Sequence, residues 1–122
     1  MAKILIVEDY PQNLELSRDI LTFNGHDVEH AEHCQALLAK VEIFKPDLIL
    51  MDIGLPRING IDCFKLLRQK PDFDEVPVLA FTASVMPDET QRILSAGFNG
   101  LIEKPIGVST FLSAINEALG NK

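Results

Sequence analysis

The chain has 122 residues, 47% of them hydrophobic and 24% charged, with a formal net charge of −7. That length fits one domain with its own core, so residues 1–122 are expected to form a single domain with no room for a second module. No apolar run approaches the roughly 18 residues of a membrane span, no signal-peptide core opens the sequence, and the scattered Lys and Arg argue against nucleic acid, whose phosphates need clustered cations.

A cytoplasmic protein is therefore expected. Lys3 to Val7 is a short β-branched and Leu run ending in the acidic pair Glu8-Asp9, and it reads as a first strand. Pro11 suits the first turn of a helix, where its missing N–H costs nothing. Leu14, Leu16, Ile20, Leu21 and Phe23 then recur at mixed three and four spacings until Asn24-Gly25 ends the helix. His26 to Ala31 alternates weakly and suits a short edge strand. His26, His30 and His33 have no metal-ligand spacing and read as polar residues on or beside that edge. Ala36, Leu37, Val41 and Phe44 mark a second helix that finishes before Pro46.

Leu48-Ile49-Leu50-Met51 runs straight into Asp52, and Gly54 and Pro56 then break the chain. Such a run bounded by turn residues is what a fully buried strand looks like. On these residues alone Asp52 is either a cap on the following turn or a group at the carboxyl end of a strand, where parallel sheets put their ligands. After Asn59-Gly60, Ile61, Phe64 and Leu67 give a third helix fading towards Pro71, with Lys65, Arg68 and Lys70 read as a solvated face. Pro71 to Glu75 is a turn-rich acidic loop. Val76 to Phe81 reads as a strand ending at Thr82. Pro87-Asp88-Glu89 opens a fourth helix with acidic residues at its positive end, and Gly97 closes it. A last strand spans Gly100 to Ile102. Glu103-Lys104-Pro105 follows, then a final helix with Phe111, Leu112, Ile115 and Leu119 on one face. Cys34 and Cys63 make neither a CxxC nor a zinc spacing and are expected as two reduced thiols.

Strands alternating with helices in this way predict right-handed parallel crossovers and an α/β sheet covered on both faces. No GxGxxG supports a dinucleotide fold. The strand ends carry, in order, Glu8-Asp9, Asp52, Thr82 and Lys104. Parallel strands bring their carboxyl ends to one edge, so these groups should share a crevice. Three carboxylates there repel one another and raise each other's pKa values unless a cation is present. Hard oxygen donors suit Mg²⁺, and with it and the Lys104 ammonium the three negative charges are balanced.

Glu8-Asp9, Met51-Asp52-Ile53-Gly54-Leu55-Pro56, Gly60, Thr82-Ala83 and Lys104-Pro105 together resemble the receiver domain of two-component response regulators, over about residues 3 to 119. The likeness is greatest to stand-alone receivers of the chemotaxis and cell-cycle type. It implies a flavodoxin-like, doubly wound (βα)5 fold with a five-stranded parallel sheet in the order 2-1-3-4-5. It implies that Asp52 takes a phosphoryl group from a sensor histidine kinase or a histidine phosphotransfer protein, in a Mg²⁺-dependent reaction that the chain itself catalyses, and later loses it. Asp9, Asp52 and the Gly54 carbonyl would bind the metal, with Glu8 helping through water. Lys104 would pair with the phosphoryl oxygens, the Thr82 hydroxyl would move to bond one of them, and Pro105 would be a cis proline. A downstream protein target would read the face of the fourth helix, fifth strand and fifth helix, near Val85 and Met86.

The chain departs from the family at two of these places. Leu101 stands where a Tyr or Phe usually swings inward with Thr82, so the switch is expected to be quieter or differently read. Gly54 has no side chain to orient a hydrolytic water, which leaves Ser84 and backbone packing to set the phosphate's lifetime. Two other classes are weighed against this reading. A binding module that no longer takes phosphate would have lost the acidic pair, the Asp or the Lys, and all are present. A phosphatase would want a second Asp at position 54, and a flavin carrier would want a phosphate-cradling loop after the first strand.

Overall fold

The two apolar periodicities of the strands decide the layering. A computed structural model describes residues 2–120 and contains one sheet of five parallel strands in the order β2-β1-β3-β4-β5. The strands are β1 (Lys3–Val7), β2 (Asp27–Ala31), β3 (Leu48–Asp52), β4 (Val78–Thr82) and β5 (Gly100–Glu103). Between and after them run α1 (Pro11–Phe23), α2 (Cys34–Phe44), α3 (Gly60–Arg68), α4 (Pro87–Ala96) and α5 (Val108–Ala118). This is the flavodoxin-like order that the resemblance implies.

Side chains alternate across a strand, so each central strand feeds two cores. Leu5, Val7, Ile49, Met51, Val78 and Ala80 face α2, α3 and α4. Ile4, Ile6, Leu48, Leu50, Leu79 and Phe81 face α1 and α5, where Phe81 stacks on Phe111. Every residue of β3 and β4 is buried, which is why those strands read as unbroken apolar runs. β2 lies at one edge, and its weak pattern fits that half-exposed place.

Four details differ from the sequence reading. The buried stripe of α1 is Asn13, Leu14, Ser17, Ile20 and Leu21, a regular helical face that two polar residues complete. Leu16 and Phe23, assigned to that face from their hydrophobicity, are exposed, Phe23 at 91%. β4 begins at Val78 rather than Val76, because Pro77 lacks the N–H that a ladder needs. The acidic loop is turn-rich as expected, and its short 3₁₀ turn, Pro71–Phe73, buries Phe73.

The third difference concerns charge. Arg68 does not lie on a solvated face: its guanidinium donates to the carbonyls of Phe73 and Val76 at 2.9 and 2.7 Å and stacks over the Phe64 ring. It ties the end of α3 to the segment leading into β4. Lys70 pairs with Glu42. The fourth concerns sulfur, where the expectation of two reduced thiols is corrected. Cys34 and Cys63 form a disulfide, with Cα atoms 5.7 Å apart and both side chains buried. Sequence spacing carries no sign of this, since the pair is made by α2 and α3 packing side by side on one face of the sheet.

Two of the three histidines take local roles. His26 Nδ1 accepts from the Ala2 N–H, and His33 caps α2 by accepting from the Ala36 N–H. No helix among the described residues is long and apolar enough to cross a membrane.

Candidate functional site

All four expected strand ends open onto one edge of the sheet, because every strand pair is parallel. β1 and β3 are neighbours, so Glu8-Asp9 stand beside Asp52. β4 and β5 follow, so Thr82 lies between Asp52 and Lys104 in the row. The ladder continues past the strands and fixes the level of each residue. The Glu8 N–H donates to the Ala31 carbonyl at 2.9 Å, the Ile53 N–H to Phe81 at 3.0 Å and the Lys104 N–H to Thr82 at 2.8 Å.

Lys104 is the centre of the charge pattern. Its Nζ lies 3.2 Å from Glu8 Oε1 and 3.2 Å from Asp52 Oδ2. Asp52 is 6% exposed and Glu8 fully buried, so two carboxylates and one ammonium meet largely out of water. Asp9 is exposed. Carboxylate oxygens of Glu8, Asp9 and Asp52 all lie within 4.8 Å of one another, a group that could hold a metal ion. The donors are all hard oxygens, and three negative charges stand against one positive, so the chemistry of the set fits a hard divalent cation.

The loop after β3 is shaped around Asp52. The Gly54 N–H donates to Asp52 Oδ1 at 3.1 Å, and the Gly60 N–H returns to the Ile53 carbonyl at 2.9 Å. A Cβ on Gly60 would overlap the Asp52 carbonyl oxygen and come within 2.7 Å of Ile53 Cα, so only glycine lets α3 start this close to the site. Gly54 itself is exposed, and a side chain there would meet only Asp52 Oδ1, at 3.8 Å.

Thr82 is 4% exposed, and its hydroxyl is engaged by the next loop. It donates to the Ser84 carbonyl at 2.8 Å and accepts from the Ser84 N–H at 3.1 Å. Ser84 is half-buried and lines a crevice with Asp52, Gly54, Thr82 and Lys104. Pro105 is exposed, and the Lys104–Pro105 peptide bond is cis. Leu101 stands apart from the charged group. It pairs with Ala80 in the sheet, packs partly against the core and lines a groove of about 620 Å³ with Thr110, Ala114 and Glu117. Val85 and Met86 are exposed on the loop before α4 rather than core residues.

Sequence reasoning missed two contacts of the site. Asn13 Nδ2 donates to Glu8 Oε1 at 2.6 Å, and the Tyr10 N–H donates to Glu8 Oε2 at 3.2 Å. The signal was a polar residue on the buried face of α1, hidden because Leu16 and Phe23 make a competing apolar pattern.

Glu8 pays for its position. Its carboxyl is pushed up to about 7, first by burial, then by its hydrogen bond to Asp52 and that group's charge, while Lys104 and Asn13 offset this only in part. A carboxyl with a higher pKa folded than unfolded favours folding in its protonated form. That contribution is complete below the ordinary value of 4.5 and is lost as pH rises through about 7. In chelator, urea midpoints of the wild type should therefore fall relative to Glu8→Gln between about pH 5 and about pH 8, since the amide does not titrate. A difference between the two proteins that stays constant over that range would contradict the assignment.

Comparison with known proteins agrees with this fold. The family model described as "Response regulator receiver domain" matches residues 4–116. The polar-differentiation response regulator DivK of Brucella anthropi is 35% identical over 118 residues, covering 97% of this chain and 96% of DivK. Among solved structures, the chemotaxis protein CheY4 of Vibrio cholerae superposes with a TM-score of 0.91 at 27% identity, covering 97% of this chain and 98% of that one. The receiver domain of a sensor histidine kinase of Pseudomonas aeruginosa gives 0.89 at 27% identity, with 98% of each chain covered, and was solved with a magnesium ion coordinated in its active site cleft.

Proposed function

The chain belongs to the response regulator receiver domain family of two-component signalling, and we propose that within it Asp52 is the phosphoacceptor of a Mg²⁺-dependent switch. The observation that carries this reading is the position of Lys104, 3.2 Å from both Glu8 and Asp52 at the sheet edge where Asp9 and Thr82 also end. An Asp that merely capped a turn would have no reason to share a buried ammonium with a second carboxylate.

In the proposed reaction an Asp52 oxygen attacks the phosphorus of a phosphohistidine on a sensor histidine kinase or a histidine phosphotransfer protein. The P–O bond forms as the P–N bond breaks, and the imidazole leaves with the electron pair and takes a proton. Phosphoryl transfer of this kind needs positioning and charge neutralisation more than covalent help. The Gly54 N–H holds Asp52 Oδ1, which orients the nucleophile. Lys104 neutralises the phosphoryl oxygens as they arrive. Thr82 leaves the Ser84 carbonyl and donates its hydroxyl to one of them. Asp9, Asp52 and the Gly54 carbonyl would hold Mg²⁺, with Glu8 behind them, and the ion supplies the remaining positive charge. Water later hydrolyses the acyl phosphate, so the chain acts as a slow enzyme on itself.

The readout is proposed for the face of α4, β5 and α5. Withdrawal of Thr82 from the Ser84 backbone frees the loop that carries Val85 and Met86, and a phosphoryl group adds charge that biases such a two-state element. Leu101 fills less space than an aromatic ring, so the change at β5 is small. Kinase or phosphotransfer partners would meet the first turn of α1 and the loop at Pro105. A cytoplasmic location suits those partners.

Incubation with acetyl phosphate and Mg²⁺ should add one phosphoryl mass increment to the wild type and none to Asp52→Asn. No increment in the wild type, or one that survives in Asp52→Asn, would sink the reading. An amide placed at position 54 can orient the attacking water, so Gly54→Asn should speed loss of the phosphoryl group by about threefold or more. A first-order decay unchanged from the wild type, followed by intact mass, would remove Gly54 from the control of lifetime.

A further inference from the structure

Asn13 is a buried polar residue that the reaction above does not use. It lies in the first turn of α1, 9% exposed, on a stripe otherwise made of Leu14, Ser17, Ile20 and Leu21. Asn is a poor choice there on propensity, and a buried amide costs free energy unless its hydrogen bonds are made. Its Nδ2 is spent on Glu8 Oε1, at 2.6 Å.

Glu8 has no exposure, so water cannot replace that donor. The carboxylate is held from two sides. Oε2 accepts from the Tyr10 N–H at 3.2 Å, and Oε1 accepts from Asn13. Lys104 touches both oxygens, at 3.2 and 3.4 Å, but the same ammonium also serves Asp52. If Lys104 turns towards an incoming phosphoryl group, Asn13 and one backbone N–H are what remain on Glu8.

We propose that Asn13 is a positioning residue for the acidic pair. It holds the Glu8 carboxyl group turned towards Asp9 and Asp52, and so sets the affinity of the site for a divalent cation without touching the cation. The proposal rests on the Mg²⁺ reading of the site. Donors behind a ligating carboxylate commonly account for about 10–100-fold in metal affinity.

The test is a Mg²⁺ titration of the whole chain. The sequence has one Tyr and no Trp, so its tyrosine fluorescence comes from Tyr10, next to Asp9, and calorimetry supplies an independent measure. Asn13→Ala and Asn13→Leu should both raise the Mg²⁺ Kd by about tenfold. In a Glu8→Ala background, where no carboxylate is left to position, removing Asn13 should change Kd by less than about twofold. A tenfold loss that persists in that background, or Asn13 variants that bind like the wild type, would overturn the proposal. Loss of folding in both Asn13 variants, read by circular dichroism, would also overturn it by making Asn13 a packing residue. Absence of Mg²⁺ binding in the wild type would instead bring down the metal reading, and this inference with it.

Discussion

Two buried carboxylates and one ammonium set the terms for the rest of this molecule. Glu8 and Asp52 share Lys104 at the carboxyl edge of the sheet, and exposed Asp9 adds a third negative charge beside them. Left alone, this arrangement is unfavourable. Removing charges from water costs on the order of several kcal/mol each, which only good pairing recovers, and here three carboxylates face a single ammonium. The fold tolerates it because the scaffold beneath is unusually apolar: β3 and β4 are buried along their whole length, and cores on both faces hold the edge in place.

Topology explains why these residues meet. In the order 2-1-3-4-5 the first and third strands are neighbours, so an acidic pair read at the start of the chain lands beside an Asp some forty residues later. Lys104 reaches back across Thr82 from the far side of the row. Local features then refine the edge. Gly60 lets α3 begin against the Asp52 backbone, the Gly54 N–H fixes one carboxylate oxygen, and Asn13 and Tyr10 hold the other acid from α1. A group that arrives with its own negative charge can be accepted at such an edge only if cations are already placed for it. That is the physical link between the crowded acidic edge and the proposed switch.

The strands and the convergence of their ends were legible because buried parallel strands write long apolar runs and end abruptly in polar residues. Asp52 after Leu48-Ile49-Leu50-Met51 is the clearest case. What was not legible depends on contacts between elements. Asn13 and Ser17 complete the buried face of α1, yet hydrophobicity alone favoured Leu16 and Phe23, which point outward. Cys34 and Cys63 bond because two helix starts adjoin, a fact with no sequence period. Arg68 looked like one of three surface cations, but the carbonyls it ties together belong to the following turn. Polar residues with a buried purpose are the ones that pattern reading misassigns.

The edge is short of positive charge, and in the proposed switch a divalent cation held by Asp9 and Asp52 would supply it. Thermal unfolding across a Mg²⁺ titration tests this most directly, since a ligand that binds only the folded state stabilises it by about 2.7 kcal/mol at 100 times its Kd. The wild type should gain stability with each increment of Mg²⁺, and Asp9→Asn and Asp52→Asn should start more stable in chelator and gain much less. A wild type that does not respond to Mg²⁺, or an Asp9→Asn variant that responds equally, would contradict the account.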